Sequence, residues 1–349
     1  MSQNSGKIGV VLVNLGTPDS PSTPDVRKYL REFLMDKRVI DISFLRRWAL
    51  VNLIIAPFRA PKSAKRYQLL WEDRGSPLMF YGEDVANMLQ QSLGDEYLVK
   101  LAMRYQNPSI RSSLEELETA IVNRIIVIPL FPQYASATTG SVIDKVMEIV
   151  KGWQIIPQIE FIDQFLEEEL FIKAFAERGK TAMQDQDFDH YIFSYHGLPE
   201  RHILKGSING YCQLSDKCCS IYHQKNNWCY RAQCFHTSRL LAGELDIPKD
   251  KYAITFQSRL GKDPWIRPYT DELLKELAKQ GIKKVLVFSP SFIADCLETT
   301  IEIDREFKGE FETAGGEQWQ LVESLNDHPL WVECLKQMVI RRVYPPPVT

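Results

Sequence analysis

VLVFSPSFIADCLETTIEIDRE, residues 285 to 306, is the stretch whose reading decides the fold. Val285, Leu286, Val287 and Phe288 make a short apolar run of the kind that becomes a strand buried on both faces, and such strands belong to parallel sheets. Pro290 then breaks the pattern. Asp295, with Glu298 three residues later, has the spacing of an N-cap and capping box and predicts a helix starting there. Glu298, Glu302 and Glu306 recur in steps of four and fall on one helical face, where like charges cost a few tenths of a kcal/mol per pair. The row reads either as a solvated acidic face with Glu298 closing the box, or as a path for a hard cation or for protons. The second reading draws on position, because parallel α/β sheets bind ligands outside the carboxyl ends of their strands.

The same alternation runs along the chain. Strand candidates are Ile8–Leu15, Tyr97–Met103, Arg124–Pro129, Gln158–Ile162, Tyr191–Ser194, Ala253–Phe256 and Lys284–Phe288, with helical patterns between them. This predicts an α/β fold of parallel sheets flanked by helices. At 349 residues the chain is too long for one ordinary core. Each half carries about four strands and an apolar–Pro turn, IPLFPQY at 128–134 and FSPSF at 288–292. Two similar Rossmann-like domains with four-stranded parallel sheets are therefore expected. The first covers 1–160 with a C-terminal helix at 327–343 crossing back to it, and the second covers 161–326. No G-x-G-x-x-G follows the first strand and no P-loop occurs, so nucleotide binding has no support.

Lys and Arg number 42 against 45 Asp and Glu, a formal net charge of −3. That lacks the basic excess of a nucleic-acid binder. The apolar run at 8–15 ends in a Gly-Thr-Pro turn and reads as a first strand, not as the core of a signal peptide. No stretch approaches the roughly 20 apolar residues of a membrane span, so a cytoplasmic protein is expected. Pro345–Pro347 reads as a disordered tail. Seven cysteines in such a compartment argue against a disulfide framework. Five of them crowd together: Cys212, Cys218, Cys219, Cys229 and Cys234.

Four further stretches stand out. FLRRWALVNLIIAPFRAPKSAKR at 44–66 is too apolar for one helix face and has basic flanks. It reads as a buried helix with basic ends, or as an apolar lip that meets a membrane surface or a large apolar anion. SYHGLPERH at 194–202 puts His196 at the end of a strand. TFQSRLGKDPWIRPYTDE at 255–272 and PLFPQYASATTGS at 129–141 are polar loops after strands, where binding residues concentrate.

Together with VLVNLGTPDSPSTPDVRKYLREFLMDKRVID, PKSAKRYQLLWEDRGSPLM and FIADCLETTIEID, these segments resemble ferrochelatase, the enzyme that inserts ferrous iron into a porphyrin. They occur in family order over nearly the whole chain. The DCLET form, with Cys296 where animal enzymes carry histidine, is similar to the Gram-negative bacterial branch. The resemblance implies two Rossmann-like domains enclosing a porphyrin cleft, protoporphyrin IX and Fe²⁺ as substrates, and protoheme as the product that ends heme biosynthesis. It implies His196 and Glu298 as the pair that binds iron and handles the pyrrole protons, with Glu302 and Glu306 as an ion or proton path. It places Leu15, Arg38, Ser76, Tyr105, Tyr134 and Trp265 at the macrocycle or its propionates. The 44–66 lip would face the inner membrane peripherally. A chelatase for coproporphyrin, another tetrapyrrole or cobalt is the alternative within the enzyme class, and a non-catalytic tetrapyrrole or iron–sulfur sensor the alternative outside it.

Residues 206–233 look like an insertion in this family. Some members hold an internal [2Fe–2S] cluster on four cysteines, and by that resemblance Cys212, Cys218, Cys219 and Cys229 are the expected ligands. A closed Cys₄ zinc site and an empty loop are the alternatives. Cys234 is left outside the set, although no spacing rule excludes it.

Overall fold

The computed structural model describes residues 6–184, 186–259, 261 and 263–345; Pro346 and Pro347 of the expected tail lie outside them. The chain divides into two compact units. The first runs through Phe131, continues over Ala135–Gln164 and resumes at Trp331; the second comprises Pro132–Tyr134 and Phe165–Leu330.

The first unit contains β1 (Ile8–Gly16), β2 (Tyr97–Tyr105), β3 (Arg124–Pro129) and β4 (Gln158–Phe161), in the order β2-β1-β3-β4 and parallel throughout. The second contains β5 (His190–His196), β6 (Tyr252–Gln257), β7 (Lys284–Phe288) and β8 (Gln318–Leu321), in the equivalent order β6-β5-β7-β8. The expected α/β fold with two parallel four-stranded sheets is therefore present. Apolar runs form the central strands, since Val10–Val13 and Val285–Phe288 are wholly buried between helical layers.

Strand β8 has no counterpart among the sequence candidates. Its four residues, QWQL, offer one buried Trp319 between glutamines, too short a pattern to stand apart from a loop.

The 44–66 stretch corrects one of its two readings. It is not a buried helix but a segmented one: Phe44–Ala49, a π-helical Leu50–Ile55, then Ala56–Leu70. Val51, Ala56 and Ala60 anchor it, while Trp48, Leu53 and Ile54 stand exposed, with Leu45 at 77% and Phe58 at 74%.

Asp36 organises the polar end of the first sheet. Its carboxylate accepts from Arg104 Nη2 at 2.7 Å, from the Tyr105 hydroxyl at 2.9 Å, from Ser141 and from the Arg38 backbone N–H at 2.7 Å. Burial opposes its charge, yet these hydrogen bonds and the Arg104 guanidinium hold the carboxyl below its ordinary value of 3.8. Removing one partner of a buried ion pair strands the other, so Asp36→Ala should cost about 3–5 kcal/mol in urea unfolding. The lowered carboxyl makes this contribution complete above pH 3.8 and lost as pH falls through the folded value. An unchanged unfolding midpoint at neutral pH would remove Asp36 from this role.

Candidate active site

In the second unit the chain leaves β5 for β6 on one side and later places β7 on the other. The strand order thus reverses between β5 and β7, the position at which such sheets bind ligands. His196 ends β5 and the Glu298 helix follows β7.

His196 is registered opposite Gln257 of β6. Its Nδ1 lies 2.6 Å from the Gly197 carbonyl oxygen. A carbonyl can only accept, so Nδ1 donates to it, and in the neutral ring the lone pair is on Nε2. The His196 carbonyl accepts from the Tyr230 hydroxyl at 2.9 Å. Gly197 N–H donates to Gln257 O at 2.8 Å, and a Cβ at 197 would lie 2.8 Å from that oxygen and 3.1 Å from Trp265. Only glycine fits this approach. The Trp265 ring centroid is 6.3 Å from that of His196, tilted by 53°. Trp265 is held there by its bridge to Pro199, with Glu200 N–H on Pro264 O at 3.0 Å and Ile266 N–H on Leu198 O at 3.0 Å.

The helix after β7 starts one residue later than its spacing predicts, and its capping box is different. Cys296 is the N-cap and Thr299 closes the box, its hydroxyl taking the Cys296 N–H at 2.9 Å. Asp295 is drawn off by Asn326, which donates from Nδ2 at 2.8 Å and accepts the Asp295 N–H at 2.9 Å. Glu298 is therefore released from capping. Burial pushes the Cys296 thiol well up, with the Glu298 charge adding to it, so the neutral thiol is a donor beside Glu298.

Leu297–Phe307 is wound as a π-helix, a form concentrated at functional sites. Glu298 and Glu302 are half-buried and Glu306 is exposed, so the acids step outward from the sheet end to solvent. Ser258 Oγ donates to Glu302 at 2.5 Å. It follows Gln257, the register partner of His196, and holds a positive φ of 65°, a conformation that non-glycine residues keep at functional sites. That hydrogen bond ties the acidic row to the strand beside His196. Glu306 has contacts of its own.

The remaining expected residues are placed as follows. Tyr134 is half-buried in the second unit, its ring edge-on to Trp228 at 5.0 Å and its N–H on Gln233 at 2.6 Å. In the first unit Leu15 sits half-buried near the carboxyl end of β1. Arg38 reaches Asp144 at 3.2 Å and Ser136 at 3.0 Å. Ser76 and Tyr105 have almost no exposed surface, 2% and 0%. Ser76 accepts from Thr17 at 2.9 Å, and burial with the Asp36 charge pushes the Tyr105 phenol far up. Both side chains are bonded within the first unit. Tyr230 and Thr299 were missed by sequence reasoning; only Tyr230's adjacency to Cys229 could have marked it.

The four cysteines of the insertion come together. Cys229 hydrogen-bonds Cys212 and Cys219, and Cys218 contacts the same two. The hydrogen bond from Cys229 holds the Cys212 thiol below its ordinary range; Cys229 and the nearby Arg231 do the same for Cys219. Cys229 correspondingly keeps its proton. Tyr211, Cys212, Cys218, Trp228 and Cys229 line a void of about 10 Å³. Cys234 is fully buried, pushed up by burial and bonded to Tyr230, so it stands apart. Among the described residues no three or more His, Cys, Asp or Glu already surround a metal-sized point; the thiols bond one another.

The family model described as Ferrochelatase matches residues 7–343. A ferrochelatase of Legionella pneumophila (strain Paris) is 46% identical over 96% of this chain and 99% of its own. One of Coxiella burnetii (strain Dugway 5J108-111) is 45% identical over 96% of this chain and 94% of its own. Among solved structures, SirB from Bacillus subtilis with Fe³⁺ gives a TM-score of 0.53 at 13% identity, covering 97% of this chain and 96% of that one. The sirohydrochlorin chelatase SirB of Bacillus subtilis subspecies spizizenii in complex with cobalt gives 0.54 at 11%, covering 97% of each. At that identity the likeness concerns fold.

Proposed function

As this chain belongs to the ferrochelatase family and inserts a metal into a porphyrin, we propose that ferrous iron and protoporphyrin IX are its substrates and that His196 and Glu298 carry the reaction. The observation that supports this most is their placement after the two strands between which the sheet order reverses, His196 at the end of β5 and Glu298 on the helix that follows β7. Metallation must strip water from Fe²⁺ and remove two pyrrole protons. In its neutral form His196, oriented by the Gly197 carbonyl on Nδ1, offers Nε2 as base or as borderline ligand. Glu298, free of capping, supplies a carboxylate oxygen to the ion or takes a proton. Glu302 and Glu306 continue from it toward solvent as a path for either. Trp265 supplies an aromatic face beside the imidazole. Leu15, Arg38 and Tyr134 are likewise proposed as macrocycle or propionate contacts, with Arg38 the cation of the set.

The insertion fits a thiolate-bound group. Cys212, Cys218, Cys219 and Cys229 would hold a [2Fe–2S] cluster, four thiolates being its usual set. When bound, it supplies a redox-sensitive cross-link of the segment. No step of metallation is routed through it.

The segment 44–66 is the proposed peripheral membrane contact. Its exposed Leu45, Trp48, Leu53, Ile54 and Phe58 lie on a helix flanked by Arg46, Arg59 and Lys62, the composition of an interfacial helix. Among the described residues no helix is long and apolar enough to cross a membrane.

His196→Ala and Glu298→Ala should each fold and bind protoporphyrin yet lose metallation by at least about a hundredfold. Loss of the free-porphyrin spectrum with Fe²⁺ under anaerobic conditions reports it. Near-normal turnover would remove the residue from the site, and porphyrin binding without metallation in the wild type would favour a sensor. Purified protein should show [2Fe–2S] absorbance that Cys218→Ser or Cys229→Ser abolishes; a colourless protein retaining zinc would assign the closed Cys₄ site instead. Leu45→Glu with Phe58→Glu should weaken co-sedimentation with anionic vesicles about tenfold or more. Equal binding would exclude the segment as the contact.

A further inference from the structure

The helix Tyr230–Glu244 begins with residues that face separate parts of the second unit. Its N-cap, Cys229, belongs to the thiol set. Tyr230 donates to the His196 carbonyl at 2.9 Å. Arg231 is a guanidinium only 3% exposed. Its Nη1 donates to Cys219 Sγ and to Ser215 O, both at 3.2 Å. Its Nη2 donates to Asp216 at 2.6 Å. Nε and Nη2 both reach the Arg267 carbonyl, at 3.2 and 3.1 Å, and the fork lies over the Phe235 ring at 4.4 Å.

Arg267 adjoins the run that carries Trp265. That run is bonded to the His196 loop through Ile266 N–H on Leu198 O and Glu200 N–H on Pro264 O. The planar guanidinium therefore spans two segments: the 215–219 turn, with one thiol of the insertion, and the strip that sets Trp265 against His196. A buried cation is costly unless fully bonded, and here every nitrogen has an acceptor. An apolar side chain could fill the space but could not join the two segments.

We infer that Arg231 is a positioning residue for the His196–Trp265 pair, acting through the Arg267 carbonyl, and that it makes the order of the 264–267 strip depend on the 215–219 turn of the cysteine insertion. Only the activity arm of the test rests on the chelatase reading. In Arg231→Gln, hydrogen exchange of the Ile266 and Glu200 amides should quicken about tenfold or more, with the amides of β7 unchanged. The kcat for metallation should fall about tenfold, with KM for Fe²⁺ moving much less, as expected when orientation and not binding is lost. Arg231→Lys, able to reach one acceptor, should lie between Gln and wild type, and it carries the same test if the glutamine variant does not fold. Unchanged exchange at Ile266 and Glu200, or faster exchange spread equally over β7, would overturn the inference. A wild type without metallation would sink the chelatase reading alone, because the exchange arm still decides this one.

Discussion

The second unit depends on β5 being hydrogen-bonded along both edges. Pairing with β6 and β7 leaves Ile192, Phe193 and Tyr195 wholly buried and delivers His196 to the end of the sheet at a fixed height. Strand order reverses beside it, between β5 and β7, the position at which parallel sheets bind ligands, and the imidazole and the Glu298 helix both follow from there. The Gly197 carbonyl then orients the imidazole. Because that oxygen only accepts, Nδ1 donates to it and Nε2 is the nitrogen left without this bond. Backbone pairing thus places the imidazole and a backbone acceptor orients its ring.

The sequence was legible where burial alone decides. The runs at 191–194 and 285–288 are apolar because helices cover both faces, and their strands stand where the pattern puts them. It was illegible where a distant partner decides. Asp295 and Glu298 have capping-box spacing, but Asn326, 31 residues further on, claims Asp295, and the box shifts to Cys296 and Thr299. The cysteines show the same limit from the other side. Their C-x5-C-C-x9-C spacing matches no simple ligand rule, and only the fold shows that four thiols meet while Cys234 is sealed off with Tyr230.

Tyr105 and Arg231 illustrate why residue type does not announce role. A tyrosine at a strand end carries a hydroxyl that must find a partner, and Asp36 takes it. An arginine in a cysteine-rich insertion looks like surface charge, yet it is nearly sealed from solvent. In both cases the cost of burying the polar group is met by a full set of partners, and those partners come from elsewhere in the chain.

The acidic row is the segment most exposed to local cost. Three glutamates at steps of four repel one another on any helix that keeps them on one side, and a turn closed by i→i+5 bonds still does so while shifting the backbone register. Two supports offset this. Ile301, Ile303 and Phe307 are buried on the opposite side, with Ile303 and Phe307 packed in the core with Val285, Val287 and Trp319. The Trp319 indole N–H donates to the Ile303 carbonyl at 3.0 Å in the middle of the π-wound run, bonding a backbone oxygen from outside the helix. Trp319 lies on β8, the strand whose sequence was too short to recognise. The least legible element of the sheet therefore buttresses the helix that carries Glu298, and the acids can face outward because the apolar side is held from below.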